Sequence, residues 1–429
     1  MITGGSPRAI GRAGAGTVGD DGGGALLVNP AALARRDTKR AQVGISVIDD
    51  NVVWQRYVDG APTAHDQAGS VALPFLALEG AIGAWVIGAA AMTSTASQRV
   101  FRRPGRIPPE SFASAFDYRY AGLEGSQRRD TVTLGVARRF GDAVAIGVAI
   151  AGSRVGIVET RRLWAGFAGR KEVIGDPAHD VEIGMTADDT FSPSAVAGVL
   201  IAPPDTRVEL AASIAWARTA HVQGDVAAIG TMPAVSVQAT GASAELDVRE
   251  PLTLRAGARW LGERWIAEVD GDLWLFPSAA ETASWQLHGL RVVDSSGVGV
   301  DLHSLPSRLS SRTHGAMRGS LDVELIAGFL WATAGYALTT SGTSTARLSP
   351  TFGDLGGHTF AAGLEANGGG VTITLGWART WSIRRSAPTS SWQLDNPFRA
   401  GDAEVPAGNY DGSSDMVGIM IDLELEAPK

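Results

Sequence analysis

Cysteine is absent from the 429 residues, which excludes a disulfide framework and any thiolate metal site. A chain without thiols is compatible with an oxidising compartment such as a periplasm. Charge is also scarce. Charged residues make up 19% of the chain and the formal net charge is -8, so there is no basic footprint for nucleic acid. The charged fraction lies below the roughly 25% of an ordinary soluble domain. No uninterrupted apolar run is long enough for a spanning helix. The nearest, Gly80 to Met92 and Leu325 to Leu338, are short and rich in Gly or Ala. No secretory signal precedes the first glycine stretch, so an exported chain is expected to have had its signal removed or to carry it upstream.

What is abundant is glycine, at 54 residues, and alternation. Val371 to Ile383 places Val371, Ile373, Leu375, Trp377, Trp381 and Ile383 on one face, with Thr372, Thr374, Gly376, Ala378, Thr380 and Ser382 on the other. Phe360, Ala362, Leu364 and Ala366 precede it across Asn367-Gly368-Gly369-Gly370, which reads as a hairpin turn. Thr131 to Val155, Val208 to Trp216 and Val417 to Leu425 repeat the pattern.

In Thr253 to Phe276 the apolar face carries Leu254, Ala256, Ala258, Trp260, Trp265, Ala267, Val269, Leu273 and Leu275. The other face carries Arg255, Arg259, Glu268, Asp270 and Asp272, candidates to line a lumen. Pairing Trp260 with Trp265 would set Arg255 opposite Asp270 and Arg259 diagonal to Glu268, favourable pairs on one face. One greasy face with aromatic ends and one polar, self-neutralising face describe a strand between lipid and a wet lumen.

Tight turns are expected near 141, 204, 250, 262 and 368. Longer polar segments are expected near 101–114, 164–190, 277–316, 341–358 and 384–413. Short turns on one side and long loops on the other build an antiparallel transmembrane β-barrel. At roughly 10 residues per crossing the chain would hold about 12 to 16 strands. The predicted fold class is therefore all-β.

Residues 1 to about 40 have no strand periodicity. Asn29 is a good N-cap and Pro30 suits the first helical position, so Ala31 to Arg36 reads as a short helix. Gly14-Ala15-Gly16-Thr17-Val18-Gly19 matches the letters of a dinucleotide-binding motif. It lacks the strand before and the long helix after, so no cofactor is expected. The seven histidines show no ligand spacing, His179 beside Asp176 and Asp180 included, and no metal is expected. There is no Gly-x-Ser-x-Gly elbow, and the chain is not expected to be an enzyme. Trp164, Phe167, Trp285, Trp392 and Phe398 fall in the long segments. They are candidates for an outer hydrophobic site or, on the plainer reading, interfacial and loop-packing residues.

The order Gly11-Arg12-Ala13-Gly14-Ala15-Gly16-Thr17, then Asp20-Asp21, then Asn29-Pro30-Ala31, resembles the N-terminal hatch of the FadL-type outer-membrane transporters, a family that includes TodX-like proteins associated with aromatic hydrocarbon uptake. The resemblance implies a barrel of 14 strands (41–429) plugged by a hatch (1–40), and passive uptake of long-chain fatty acids or other hydrophobic molecules by binding, hatch rearrangement and lateral release. It carries the hatch role onto Gly11, Arg12, Gly14, Asp20, Asp21, Asn29, Pro30 and Ala31. The partners implied are the hydrophobic ligand and outer-membrane lipid, with a monomeric barrel in a bacterial outer membrane. The alternative within the same resemblance is a non-transporting barrel that acts as an adhesin or a docking protein for secreted cargo. The chain departs from the pattern at Met1 to Pro7, which has no aromatic residue, and at Glu426 to Lys429, which does not close on one.

Overall fold

The computed structural model describes residues 6–20, 22–56, 63–103, 118–166, 175–231, 235–294, 297–387, 394 and 408–425. The strands that matter are β1 (Arg40–Arg56), β2 (Val71–Ile82), β3 (Trp85–Val100), β4 (Glu124–Phe140), β5 (Val144–Trp164), β6 (Asp180–Ile201), β7 (Val208–Ala217), β8 (Ala220–Gly230) and β9 (Val235–Val248). They continue with β10 (Leu252–Leu261), β11 (Trp265–Leu275), β12 (Ser284–Asp294), β13 (His314–Ile326), β14 (Leu330–Thr339), β15 (Gly357–Gly368), β16 (Val371–Ser382) and β17 (Gly408–Glu424).

Among the described residues fourteen of these strands form a closed antiparallel barrel. Each wall strand pairs with the next wall strand along the chain, β7 pairs directly with β10 and β11 with β13, and β17 returns to β1 over Arg40↔Glu424 to Arg56↔Gly408. Closure pairs every wall strand on both sides over at least part of its length, the arrangement that lets strands cross hydrocarbon. No helix among the described residues is long and apolar enough to cross a membrane.

The alternation read from the sequence sorts as expected. Leu134, Ile150, Leu254, Trp260, Val269, Ile373, Leu375 and Trp377 face outward, while Arg259, Glu268, Asp270, Asp272 and Thr374 are buried inside. Aromatic side chains mark both rims of the outer band. Arg138 stacks over Trp85 and Phe140 at 4.9 and 5.0 Å at the turn end, and Phe360 meets Tyr336 and Trp381 edge-on at 5.1 and 5.6 Å at the loop end. The band is expected to face lipid. Leu134→Arg should therefore lower stability in vesicles by about 2–4 kcal/mol, read from urea unfolding. A variant as stable as the parent chain would mean that the face meets water.

The hairpin at Gly368↔Val371 closes on Gly369 and Gly370, both at positive φ, the two-residue turn whose twist matches the strands. Two expectations are corrected. The β10–β11 register pairs Trp260 with Ala267, so Arg259 stands opposite Glu268 and Arg255 opposite Asp272. The cause is the turn. Gly262 N–H donates to Trp265 O at 2.7 Å, so the chain reverses over Glu263 and Arg264 alone and Trp265 stands opposite Gly262 instead of Trp260. The turn near 250 lies at the loop end, where the chain re-enters the wall after an excursion. That excursion (β8, β9 and later β12) extends the upper halves of β5 and β6 into a cap, with β6 pairing β8 from Val181↔Gly230 to Asp188↔Gln223. Parts of 164–190 and 277–316, expected as loop, are therefore strand.

The cap has its own core, in which Ile157, Ile183, Val222, Leu246, Leu287 and Val292 are buried together. A buried polar cluster fastens it. The Asp180 carboxylate accepts from Arg119 Nε at 2.8 Å and Tyr120 Oη at 2.7 Å, and Glu159 accepts from Trp285 Nε1 at 2.9 Å and Ser307 Oγ at 3.0 Å. Burial pushes the Asp180 carboxyl above its usual range, with Arg119 and the Tyr120 hydroxyl pulling the other way.

Candidate functional site: the N-terminal segment and the cavity above it

Residues 6–20 and 22–35 lie inside the barrel. The helix α1 (Pro7–Gly11) sits against β15, β16 and β17, and the 3-10 turn Pro30–Arg35 sits against β4, β5 and β6. The turn starts as the sequence suggests. Asn29 Oδ1 accepts from Ala31 N at 3.3 Å and Pro30 occupies the first position. Asn29 Nδ2 also donates to Thr17 O at 2.9 Å and to Val199 O of β6 at 3.3 Å. One buried side chain thereby ties the turn to the glycine stretch and to the wall.

Acidic residues on the inner wall hold the rest. Gly16 and Thr17 N–H both donate to Asp270 Oδ2, at 2.7 and 2.9 Å, and Val18 and Gly19 N–H to Glu268 Oε1, at 2.8 and 3.1 Å. Successive amides converging on one oxygen form an anion-binding concavity, here filled by a wall carboxylate. Arg12 forks onto Asp322 of β13 at 2.6 and 3.2 Å, Arg35 onto Glu209 of β7 at 2.7 and 2.9 Å, and Arg8 reaches Glu365 at 3.0 Å. Gln42 of β1 accepts from Gly23 N at 2.8 Å. Asp272 pairs with Arg318, and Arg255 stands 3.8 Å from Asp272 while donating to Leu27 O at 3.4 Å.

The wall is also shaped to receive the backbone. Gly363, Gly376 and Gly418 lie side by side on β15, β16 and β17 beneath α1, and Gly147 and Gly198 pair on β5 and β6 beneath Asn29 to Ala31. A Cβ at Gly147 would lie 2.3 Å from both Ala31 N and Pro30 C, and one at Gly376 would lie 2.5 Å from Pro7 O. Gly11 is as tight from the other side, since its Cβ would fall 2.9 Å from Gly363 Cα. Gly14 has φ +83° and faces Arg318. Asp20 is buried and accepts from Gly22 N at 3.4 Å.

The segment separates two spaces. Above it, toward the loops, is a cavity of about 380 Å3 whose floor includes Asp20, Leu27 and Val28 and whose walls include Thr131, Ser153, Arg255 and Trp274. Phe352 and Leu355 from the 341–356 loop reach it from the top. Below, at the turn end, a space of about 410 Å3 is lined by Arg8, Arg12, Arg36, Asp322 and Glu365.

The wall is parted at one level of the upper cavity. Pairing of β2 with β3 stops at Phe75↔Met92, and among the described residues β3 runs on to Val100 paired with β4 alone. Its register slips between Thr93 and Thr95, leaving Ser94 as the extra residue of a bulge. Val71 to Pro74 of β2 pair only with β1. The edges meet again higher up, where Val100 N donates to Asp66 Oδ1 at 2.7 Å and Gln67 N to Val100 O at 2.7 Å. Ile48, Asp50 and Ser94 to Ser97 line the cavity beside this seam.

Of the residues singled out from the sequence, Gly11, Arg12, Gly14, Asp20, Asn29, Pro30 and Ala31 all sit in this segment, and Arg255, Arg259, Glu268, Asp270 and Asp272 all point inward at it. Asp21, Phe167, Trp392 and Phe398 lie outside the described residues. Trp164 and Trp285 are fully buried in the cap, Trp164 with Tyr120 and Ala121 and Trp285 in the cap core, and neither lines the cavity. Sequence reasoning missed Glu209, Asp322, Arg318 and Gln42. The available signal was a charged or amide side chain at an inward position of a strand.

By sequence, no family model matches the chain, and no curated protein does. By structure, it is similar to a Pseudomonas aeruginosa FadL homologue, with a TM-score of 0.74, 15% identity and 99% of each chain covered. The P. putida toluene transporter TodX gives 0.71 at 14% identity over 100% of both chains. The Ralstonia pickettii toluene transporter TbuX gives 0.64 at 14% over 98% of this chain and 99% of that one. At these identities the likeness is one of fold, and it spans the whole length.

Proposed function

We propose that the chain is a bacterial outer-membrane channel for passive uptake of hydrophobic small molecules such as long-chain fatty acids or aromatic hydrocarbons, with residues 1–40 as a hatch inside a 41–429 barrel. The observation that carries this reading is the N-terminal segment lying between two cavities, beside a parted seam in the wall. Ligand enters the upper cavity from the loops, where burying each CH2 is worth about 0.8 kcal/mol. The segment's bonds to the wall are side-chain contacts that can exchange, so its shift can open the lower space or redirect ligand to the seam. Exit between β2 and β3 would deliver an apolar molecule sideways into lipid without crossing water. The fold shared with toluene transporters and a FadL homologue supports the reading. A docking or adhesin role would call for a sealed, polar lumen, and the cavity and seam favour passage.

Changing Asn29-Pro30-Ala31 to Ala-Gly-Gly removes a cap worth about 1–2 kcal/mol along with the fixed start of the turn. The barrel should still assemble, while uptake of labelled oleate or toluene by whole cells should fall on the order of tenfold, the equivalent of about 1.4 kcal/mol. Uptake equal to the parent chain would count against gating by this segment.

A further inference from the structure

Three hydroxyls stand in line on the inner wall beside the seam. Ser94 Oγ and Thr131 Oγ1 are 2.9 Å apart, and Thr131 Oγ1 and Ser153 Oγ 3.0 Å, so the row crosses β3, β4 and β5. All three line the upper cavity. Thr131 and Ser153 are buried, and Ser94 is the bulge residue where β3 has left β2. A bulge re-aims the side chain it carries, here into the cavity at the edge of the opening.

Each hydroxyl has one hydrogen and two lone pairs. Ser94 Oγ can donate to Arg129 O at 3.4 Å, and the two hydroxyl–hydroxyl bonds use the remaining hydrogens. Arranged this way, the row offers lone pairs to the cavity and no hydrogen. The neighbouring cations are already engaged. Arg99 donates to Asp50 Oδ2 at 2.9 Å and to Gly353 O at 2.8 Å, and Arg129 pairs with Glu250. A carboxylate is acceptor-only, so with the hydrogens placed this way the row itself gives it no donor, and the guanidiniums of Arg99 and Arg129 beside it are already paired. A neutral O–H would find acceptors, and a plain hydrocarbon would leave them unmatched.

We infer that this row is a head-group site that selects, among hydrophobic molecules, those carrying a neutral hydroxyl (an alcohol or a phenol) and presents them to the seam. The inference rests on the uptake reading above and adds the class of ligand. Three labelled probes with the same apolar body test it: 4-butylphenol, butylbenzene and 4-butylbenzoate, taken up by whole cells of a host with no channel of this fold. In the Ser94→Ala, Thr131→Val, Ser153→Ala triple variant, 4-butylphenol uptake should drop about fivefold, the worth of roughly one hydrogen bond, with butylbenzene unchanged. Thr131→Val alone keeps the shape of the side chain and should give a smaller drop of the same kind if the triple variant does not assemble. An equal fall for butylbenzene, an unchanged phenol rate, or a loss confined to 4-butylbenzoate overturns the inference and leaves the uptake reading standing. Parent cells that take up none of the three above empty cells overturn both.

Discussion

Asp322→Ala is expected to release the N-terminal segment from the wall while the barrel stays closed. Arg12 and Asp322 are 4% exposed each and share two hydrogen bonds, at 2.6 and 3.2 Å. Removing one partner of such a pair leaves a buried charge, at a cost of about 3–5 kcal/mol. Arg12 also reaches Gly19 O at 3.4 Å, a contact too long to offset it. The cost falls on the segment because Asp322 sits in a wall strand laddered on both sides, by β11 and β14. Amide exchange at Gly16 to Gly19 should therefore speed up by about two to three orders of magnitude, with the wall amides unchanged. Replacing Arg12 and Asp322 together by leucine should recover most of the protection, because a matched apolar pair leaves no charge to desolvate. Exchange at Gly16 to Gly19 that matches the parent chain in the single variant would sink the anchoring role.

Gly376→Val should have an effect of similar size by a steric route. Valine suits a strand, so local preference would welcome it. The new side chain would enter space held by the backbone of α1, with Pro7 O at 2.5 Å and Gly11 N at 3.0 Å from Cβ alone. Backbone packed on a closed wall has no rotamer to change. The expected outcome is displacement of α1 at a cost of about 3 kcal/mol, the upper part of the overpacking range. Gly271→Val is the control, because a Cβ there meets nothing within 4 Å. Limited trypsin digestion reads the difference, since Arg8, Arg12, Arg35 and Arg36 all lie in the segment. Gly376→Val should be cut there rapidly, and Gly271→Val at the parent rate. Equal cutting of the two would mean that the glycine row is not a seat for the helix.

Much of this site could be read in advance, but unevenly. The segment itself was legible because its residues have local reasons. Asn29 caps, Pro30 starts a turn, and a stretch with four glycines and no alternation cannot be wall. The inward position of Arg255, Arg259, Glu268, Asp270 and Asp272 was legible because parity along a strand decides the face. Their roles were not, since Asp270 and Glu268 bind amides about 250 residues earlier in the chain. Trp164 and Trp285 show the converse. Aromatic residues in a long connection look like ligand contacts until the connection is found to fold into a cap with its own core.

The sequence by itself determined the class of fold, the two faces of the clearly alternating strands and the odd character of residues 1 to about 40. These follow from a period of two and from capping chemistry, both confined to a few neighbouring residues. Only the tertiary structure decided the register of β10 on β11, the diversion of β8, β9 and β12 into a cap, the seam beside Ser94, and which wall glycines seat which turn of the segment. A slip of two residues keeps every side chain on its face, so alternation cannot detect it. A glycine in a strand reads as a weak point until the backbone it makes room for is known. The segment was conspicuous from its own residues, and the wall that holds it became identifiable only when the barrel closed around it.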